Sequence, residues 1–520
     1  MTDLLQAARH NRTRLITLGV LALLFATALQ GMDPEEWGIT VLRGLSVGMV
    51  TFLVAAGLSL ILGLMDVLNL AHGEMFMLGA YVGWTVYVRP DTFVDVLAPL
   101  ALLAGGLVLL PVWQNGLGRR PLQGLAARVA PWLGLAGGGA LVAFGLGRYP
   151  IAVWNHRVYA ESPITYSLAL SQGRLAIPPP AAWESIPPLV SLLGILAGGI
   201  LLSGALAVWR QRRPVAIPGR LPRGPLLLAG GLALLGLAVH GVNTPLTELL
   251  FGMGSTARFF LAMGVATATG LLIGALVETT LIRPLYERPV YQILLTLGLG
   301  FVTVEAVRAL WGRPEFTMPK PALFAGTGEG CPATSLGQWL VHRCSTIFLL
   351  GGRVRSYNEI FIVAVGFLVL SGVWLLLQRT RMGMIIRAGV QDREMVEALG
   401  INVRRVFTFV FALGVGLAAL GGTLAAPSIG LANDMGARLL LLALIALAIG
   451  GLTSFPGAAA GAILVGLLQQ FIIKYSAIGI RLPFLAEPFK PSPPLVPAST
   501  VLLMVIVLLV LPQGLFGRRE

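Results

Sequence analysis

The sequence predicts an all-α polytopic membrane protein with about fourteen transmembrane helices, and three observations predict it. The 520 residues are 56% hydrophobic and only 12% charged. Apolar runs of roughly 17 to 25 residues recur along the chain, the length a helix needs to cross a bilayer. Basic residues fall in short clusters between these runs, as they do in cytoplasmic loops. In lipid only a helix satisfies its backbone polar groups within its own segment, so the runs are predicted to be helical. A soluble core has no means of absorbing this much apolar surface. The formal charge of +14 reports topology and not a nucleic-acid ligand, because the basic groups do not share one polar face.

Candidate spans lie near 14–31, 40–63, 70–88, 97–114, 129–147, 189–209, 225–242, 258–280, 293–311, 359–378, 405–426, 438–452, 457–475 and 498–513. With the N-terminus in the cytoplasm, alternation puts 1–13, 115–128, 210–224, 281–292, 379–404 and the tail inside. Roughly twice as many Lys and Arg fall in those segments as in the opposite loops, as the positive-inside rule requires. Both termini are then cytoplasmic, and the protein is expected in the plasma membrane as a multi-pass chain. The first span reads as an uncleaved anchor, with a cleaved signal as the alternative suggested by "ATALQG". Of the long outside segments, 148–188 and 312–358, the second holds both cysteines, Cys331 and Cys344. An outside loop permits a disulfide or two free thiols, and spacing does not choose between them.

Catalytic chemistry finds little support. The three lysines, Lys320, Lys474 and Lys490, do not follow a glycine, so there is no Walker A phosphate loop. No Cys/His cluster has metal spacing, no cofactor is implied, and no enzyme is expected. Two polar stretches stand out instead. "MDVLNLAHGEMF" (Met65 to Phe76) sets Asp66, Asn69, His72 and Glu74 between apolar runs. On an ideal helix they spread over about 200°, so no single orientation hides them all from lipid. Either the helix is interrupted beside Gly73 or protein surrounds it; the alternative is a short polar loop at the cytoplasmic surface. The second stretch, Arg379 to Phe411, predicts a short amphipathic helix from Val390, Met395, Val396 and Leu399, with Gln391, Asp392, Arg393 and Glu397 between them and Gly400 as the stop. Such a helix lies on lipid headgroups or docks into a groove of a cytosolic protein.

Four segments in order carry a family resemblance: Gly57 to Tyr81, "ETTLIRPLYERP" (Glu278 to Pro289), Arg379 to Ile401, and "AIGGLTSFPGAAAGAILVG" (Ala448 to Gly466). Together they resemble the permease subunits of branched-chain amino acid ABC importers. The resemblance covers roughly 42–87 and 262–515. It implies a permease core in 42–94 and 258–520 with a coupling loop at 379–404, and leaves outside it an expected N-terminal anchor helix in 1–41 and inserted transmembrane hairpins with an external loop in 95–257. An even number of inserted spans leaves the downstream topology unchanged.

The resemblance further implies a membrane-spanning permease subunit that forms the translocation path, paired with a homologous permease, two cytosolic ATPases and an external solute-binding protein. The solute is then a branched-chain or other amino acid, or alternatively urea or a short amide. Asp66, Asn69, His72, Gly73 and Glu74 become candidates to line or brace the path. Gln391, Asp392, Glu397, Ala398, Leu399 and Gly400 become candidates for ATPase coupling, Glu397 to Gly400 resembling the family's E-A-A motif. Structural roles are expected for Glu278, Arg283 and Pro284 at the end of a span, and for Gly451, Pro456 and Gly457 at a tight turn. Gly457 and Gly461 have the spacing of close helix packing. Glu305 and Arg308 are expected to pair inside the bundle. A secondary transporter would account for intramembrane polar residues but leaves the amphipathic helix without a partner and usually shows internal repeats, which are not evident in the sequence. A structural subunit of a larger complex would account for the extra hairpins but not for the polar cluster.

Overall fold

The computed structural model describes residues 19, 32–119, 122–151, 187–210, 223–312, 315, 317–349, 351–391, 393–480 and 487–517. The expected first span at 14–31, apart from residue 19, and most of the expected external loop at 148–188 lie outside the described residues. Two compact units form, one from the described residues up to 84 and from 255 onward, the other from those of 85–254.

The first unit opens with α1 (Pro34–Met65). Pro34 sits in the first turn, where its missing N–H costs nothing, and Glu35 and Glu36 face the positive end of the helix. The helix stops at Asp66, whose left-handed φ of 54° turns its N–H back to the Leu62 carbonyl at 3.0 Å. After an irregular stretch, α2 (His72–Val88) resumes.

The second unit contains α3 (Pro90–Leu107), α4 (Leu110–Arg119), α5 (Gly124–Arg148), α6 (Pro188–Arg210), α7 (Arg223–Gly241) and α8 (Asn243–Gly252). Small residues let these helices approach: Gly106 faces the Gly199 backbone, Gly138 the Gly198 carbonyl, and Gly236 the Ala98 carbonyl. Lipid is as apolar as leucine, so close van der Waals packing of this kind replaces the hydrophobic drive available in water. Two polar ties join the bundle, Tyr149 Oη to His240 Nδ1 at 3.1 Å and Asn243 Nδ2 to Asp95 Oδ1 at 2.7 Å.

From residue 255 the first unit continues with α9 (Ser255–Val277), a π turn and a 3-10 turn over 278–285, α10 (Pro289–Trp311), the short α11 (Leu336–His342), the antiparallel hairpin β1 (Thr346–Leu349) and β2 (Gly352–Arg355), and α12 (Val363–Arg379). Then follow α13 (Arg381–Gln391), α14 (Arg393–Ala398), α15 (Val403–Ile429), α16 (Met435–Gly450), α17 (Phe455–Ile478) and α18 (Leu495–Val510). The core sits around α1 and α15, whose most apolar windows are 83% and 78% buried, against 17% for α10 and α12. They run antiparallel: Gly57 abuts Gly414, and Leu53 meets Gly421.

An internal repeat of opposite sense emerges, although none was evident in the sequence. Both α1 and α15 are long and buried, and each is followed by a short irregular segment and a shorter helix, α2 or α16. The halves also exchange partners. Gly44 and Gly48 of α1 lie against Leu467 and Ile463 of α17, while Gly270 and Gly274 of α9 lie against Val415 and Ala412 of α15.

The all-α polytopic expectation holds, with ten described helices long and apolar enough to cross a membrane. Of the other four expected spans, 14–31 falls outside the described residues apart from residue 19, and 70–88, 438–452 and 498–513 correspond to the shorter helices α2, α16 and α18 of 17, 16 and 16 residues. Glu305 and Arg308 do pair, at 2.6 Å, but both side chains are exposed and not interior, because α10 is a peripheral helix.

Residues 317–355 make a cap tied to the beginning of α1. Cys331 and Cys344 are disulfide-bonded, which decides between the two expected thiol states. Cys344 packs with Ala333, Ile347 and Val354 against Ile39 and Leu42. Ser335 caps α11 by accepting from Gln338 N, and Gln338 Oε1 accepts in return from Thr334 N at 3.1 Å. Lys320 is held below its ordinary value by burial, with the charge of Arg355 adding to it. Arg43 reaches Glu359 at 3.4 Å and fastens α1 to the segment leading into α12.

Glu278 is fully buried and accepts from Arg283 at 3.1 and 2.8 Å, from Thr408 Oγ1 at 2.7 Å and from Tyr286 Oη. One carboxylate thus binds the α9–α10 connection to α15, while Pro284 beside it is exposed. Replacing Glu278 by Ala leaves these donors without their acceptor. The expected loss is about 3 kcal/mol, the scale for breaking a buried ion pair, checked by thermal unfolding of the detergent-solubilised protein.

Candidate functional site

The polar stretch after α1 is both interrupted and surrounded. The chain leaves α1 at Asp66, which is exposed, and then doubles back along it. His72 lies against Gly57, where an added Cβ would stand 2.7 Å from Nε2 and 2.5 Å from the Gly414 carbonyl. Nine residues separate Gly57 from Asp66, so α2 begins about 13 Å up the side of α1. Residues 67–71 are thus a re-entrant segment, and non-helical backbone at that depth is tolerated where protein covers it.

Local hydrogen bonds hold the break. Buried Asn69 accepts from Ala71 N through Oδ1 at 3.1 Å and from His72 N through its carbonyl at 3.2 Å, satisfying donors that the helix start leaves free. Leu70 N donates to Thr296 Oγ1 of α10 at 3.2 Å. The fully buried His72 ring fills the gap left by Gly57, and neither ring nitrogen has a hydrogen-bond partner among the described residues.

The start of α2 meets the start of α16. A Cβ on Gly73 would collide with the Gly436 carbonyl and the Leu440 side chain, and one on Gly436 would stand 2.5 Å from Glu74 Oε2 and 2.6 Å from the Gly73 carbonyl. Glu74 is buried, its Cγ near Gly300 of α10, and Oε2 has no hydrogen-bond partner among the described residues. One face of α2 continues from Glu74 to Tyr81, whose Oη donates to Asn433 Oδ1 at 3.1 Å. Beside them Asp434 and Arg438 form an ion pair across the first turn of α16, both side chains exposed.

The structure therefore brings Asn69, His72, Gly73 and Glu74 together and leaves Asp66 apart. Sequence reading overlooked Tyr81, Asn433, Asp434, Gly436 and Arg438. A signal existed in "GLANDMGARL" (Gly430 to Leu439), which, like "NLAHGE", places an Asn and a Gly within five residues between apolar runs.

In the second constellation the described residues on both sides of Asp392 are helical, as expected, in α13 and α14; Asp392 itself and the side chain of Val390 lie outside the described residues. The expected apolar face divides: Val396 is buried, whereas Met395 and Leu399 are exposed. Gln391, Glu397, Ala398, Leu399 and Gly400 all lie at the surface, and Gly400 ends the turn with φ 78°. In α13, Ile386 is buried, and Gly389 sits opposite Leu64 in the last turn of α1. At the remaining predicted turn, Gly451 has φ 111°, Ser454 Oγ accepts from Gly457 N at 3.2 Å, and Pro456 is exposed. Gly457 packs on Gly450 and Gly461 on Ala446, while Leu515 N and Phe516 N donate to the Ile449 and Gly450 carbonyls at 2.8 and 2.9 Å.

A family model described as branched-chain amino acid transport system, permease component, matches residues 40–111 and 224–512. The chain belongs to this family. Among curated relatives, the high-affinity branched-chain amino acid transport permease BraD of Pseudomonas aeruginosa is 33% identical over 172 residues, 33% of this chain and 51% of BraD. LivH of Escherichia coli K12, described in the same words, is 26% identical over 264 residues, 50% of this chain and 78% of LivH. The fructose import permease FrcC of Rhizobium meliloti is 23% identical over 313 residues, 57% of this chain and 78% of FrcC. This permease thus spans about half the length of BraD. No solved structure matches. The family match leaves 112–223 uncovered and includes the four segments that carried the resemblance.

The Gly73–Gly436 contact makes a sharp prediction. Gly436→Ala forces a methyl group against the Glu74 carboxylate and the Gly73 carbonyl, and overpacking of this kind costs about 1–3 kcal/mol. A lowered melting temperature of the purified permease is expected, whereas Gly298→Ala, which meets open space, should leave it unchanged.

Proposed function

We propose that this permease is the membrane-spanning subunit of an ATP-driven importer of branched-chain amino acids, coupled to separate ATPase subunits and supplied by an external solute-binding protein. The observation that carries the reading is the position of α13. It packs on the last turn of α1, directly before the re-entrant polar segment, and with α14 presents Met384, Met395 and Leu399 to the surface. Exposed apolar residues on short helices flanked by charge suit docking into a protein groove. Movement of that groove reaches α1 at Leu64, two residues from the break at Asp66. Asn69, His72, Gly73 and Glu74 then line or brace the path, with Asp66 at its edge, and Gln391 to Gly400 form the coupling surface. A homologous permease completes the pore.

The reading places 379–404 in the cytoplasm and the disulfide-bonded cap outside, where an oxidising medium suits Cys331–Cys344. In intact cells, Glu329→Cys should react with an impermeant thiol reagent and Met395→Cys should not. Labelling in the reverse sense would overturn the orientation.

The coupling surface is tested by Leu399→Arg. The permease should insert and keep its melting temperature, since the side chain is exposed, while ATPase copurification falls about tenfold, equivalent to 1.4 kcal/mol, and ATP-dependent leucine uptake by proteoliposomes falls with it. Normal copurification and uptake would refute the coupling role.

A further inference from the structure

We infer that the junction of α2 and α16 binds the zwitterionic head of an α-amino acid, Glu74 taking the ammonium and the first turn of α16, with Arg438, taking the carboxylate. Three observations converge on it. The N-termini of two helices meet at Gly73 and Gly436, and each concentrates partial positive charge and first-turn amides without partners inside the helix. Such ends hold carboxylates in water-poor surroundings. Independently, the Glu74 carboxylate is buried, aimed at Gly436, and keeps Oε2 without a hydrogen-bond partner among the described residues.

The third observation concerns Asp434 and Arg438. Their side chains are 53% and 71% exposed on the same turn that abuts Gly73, well inside the end of α1. Charged side chains within a membrane protein face polar space or protein and not hydrocarbon, so this face of α16 suits a polar lining. The junction therefore combines two carboxylates, Glu74 and Asp434, with two electropositive helix ends and the exposed guanidinium of Arg438, which pairs with Asp434. A zwitterion matches both signs, whereas a neutral amide such as urea matches neither.

The inference rests on the amino acid importer reading and fails separately from it. The probe is leucine added to the purified full-length permease, with thermal unfolding as readout, against 4-methylpentanoate, which lacks the ammonium, and 3-methylbutylamine, which lacks the carboxylate. Leucine should stabilise the protein at concentrations where neither half-ligand does. Glu74→Gln should raise the leucine concentration required by about tenfold and abolish the preference over 4-methylpentanoate. Arg438→Gln, altering an exposed side chain, should weaken leucine similarly while leaving the unliganded melting temperature in place; it keeps the test decisive if Glu74→Gln misfolds. Wild-type leucine response in folded Glu74→Gln or in Arg438→Gln, half-ligands as effective as leucine, or urea replacing leucine would overturn the site. Leucine uptake by the assembled importer with no leucine response of the permease would overturn the site and spare the importer. Absence of both would overturn the importer reading and the site with it.

Discussion

Two backbones touch at Gly73 and Gly436, and the arrangement of the first unit depends on that contact. Neither position has room for a methyl group. Because the two helices begin there, long α1 and α15 must each end and the chain must return into the protein before α2 and α16 can start. The interruption is costly in a membrane, where unsatisfied backbone groups have no water to turn to. Asn69 and Thr296 satisfy the first break, with the buried walls of α1 and α15 around it.

The same economy of small residues runs through the rest. Gly44, Gly48 and Gly466 join α1 to α17, Gly270 and Gly274 join α9 to α15, and Gly450, Gly457 and Gly461 join α16 to α17. Removing side chains from both partners lets backbones approach until dispersion forces act over long lengths. Polar glue is concentrated at a few points, the buried Glu278 cluster foremost, where one carboxylate gathers donors from a connection and a distant helix.

Helix positions were largely legible in the sequence, because length and hydropathy report directly on crossing a membrane. The break at 66–71 was legible as a conflict: four polar side chains spread too widely for one helix in lipid. Its counterpart at 430–434 was not, because Asn433 and Asp434 are only two polar groups, and such a pair reads as an ordinary loop. Partnership across 350 residues has no local signature, which is why the inverted repeat and the meeting of Glu74 with Gly436 appear only in three dimensions. The pairing of Glu305 with Arg308 followed from i, i+3 spacing, whereas their exposure depends on which helices flank α10. The helicity of 381–398 was legible, but the burial of Val396 beside exposed Met395 and Leu399 was not.

One feature of α1 acquires a mechanical meaning from its two ends. Its 32 residues make a rod about 48 Å long, longer than the hydrocarbon layer it crosses. At one end Ile39, Leu42 and Arg43 are fastened to the disulfide-bonded cap and to Glu359. At the other, Leu64 rests on Gly389 of α13. Hydrogen bonds along an unbroken helix resist bending and stretching, so a displacement applied at the foot arrives at the head with little loss. The cap and α13, at opposite ends of α1, are thus joined by a single stiff strut that runs past the polar break without sharing its flexibility.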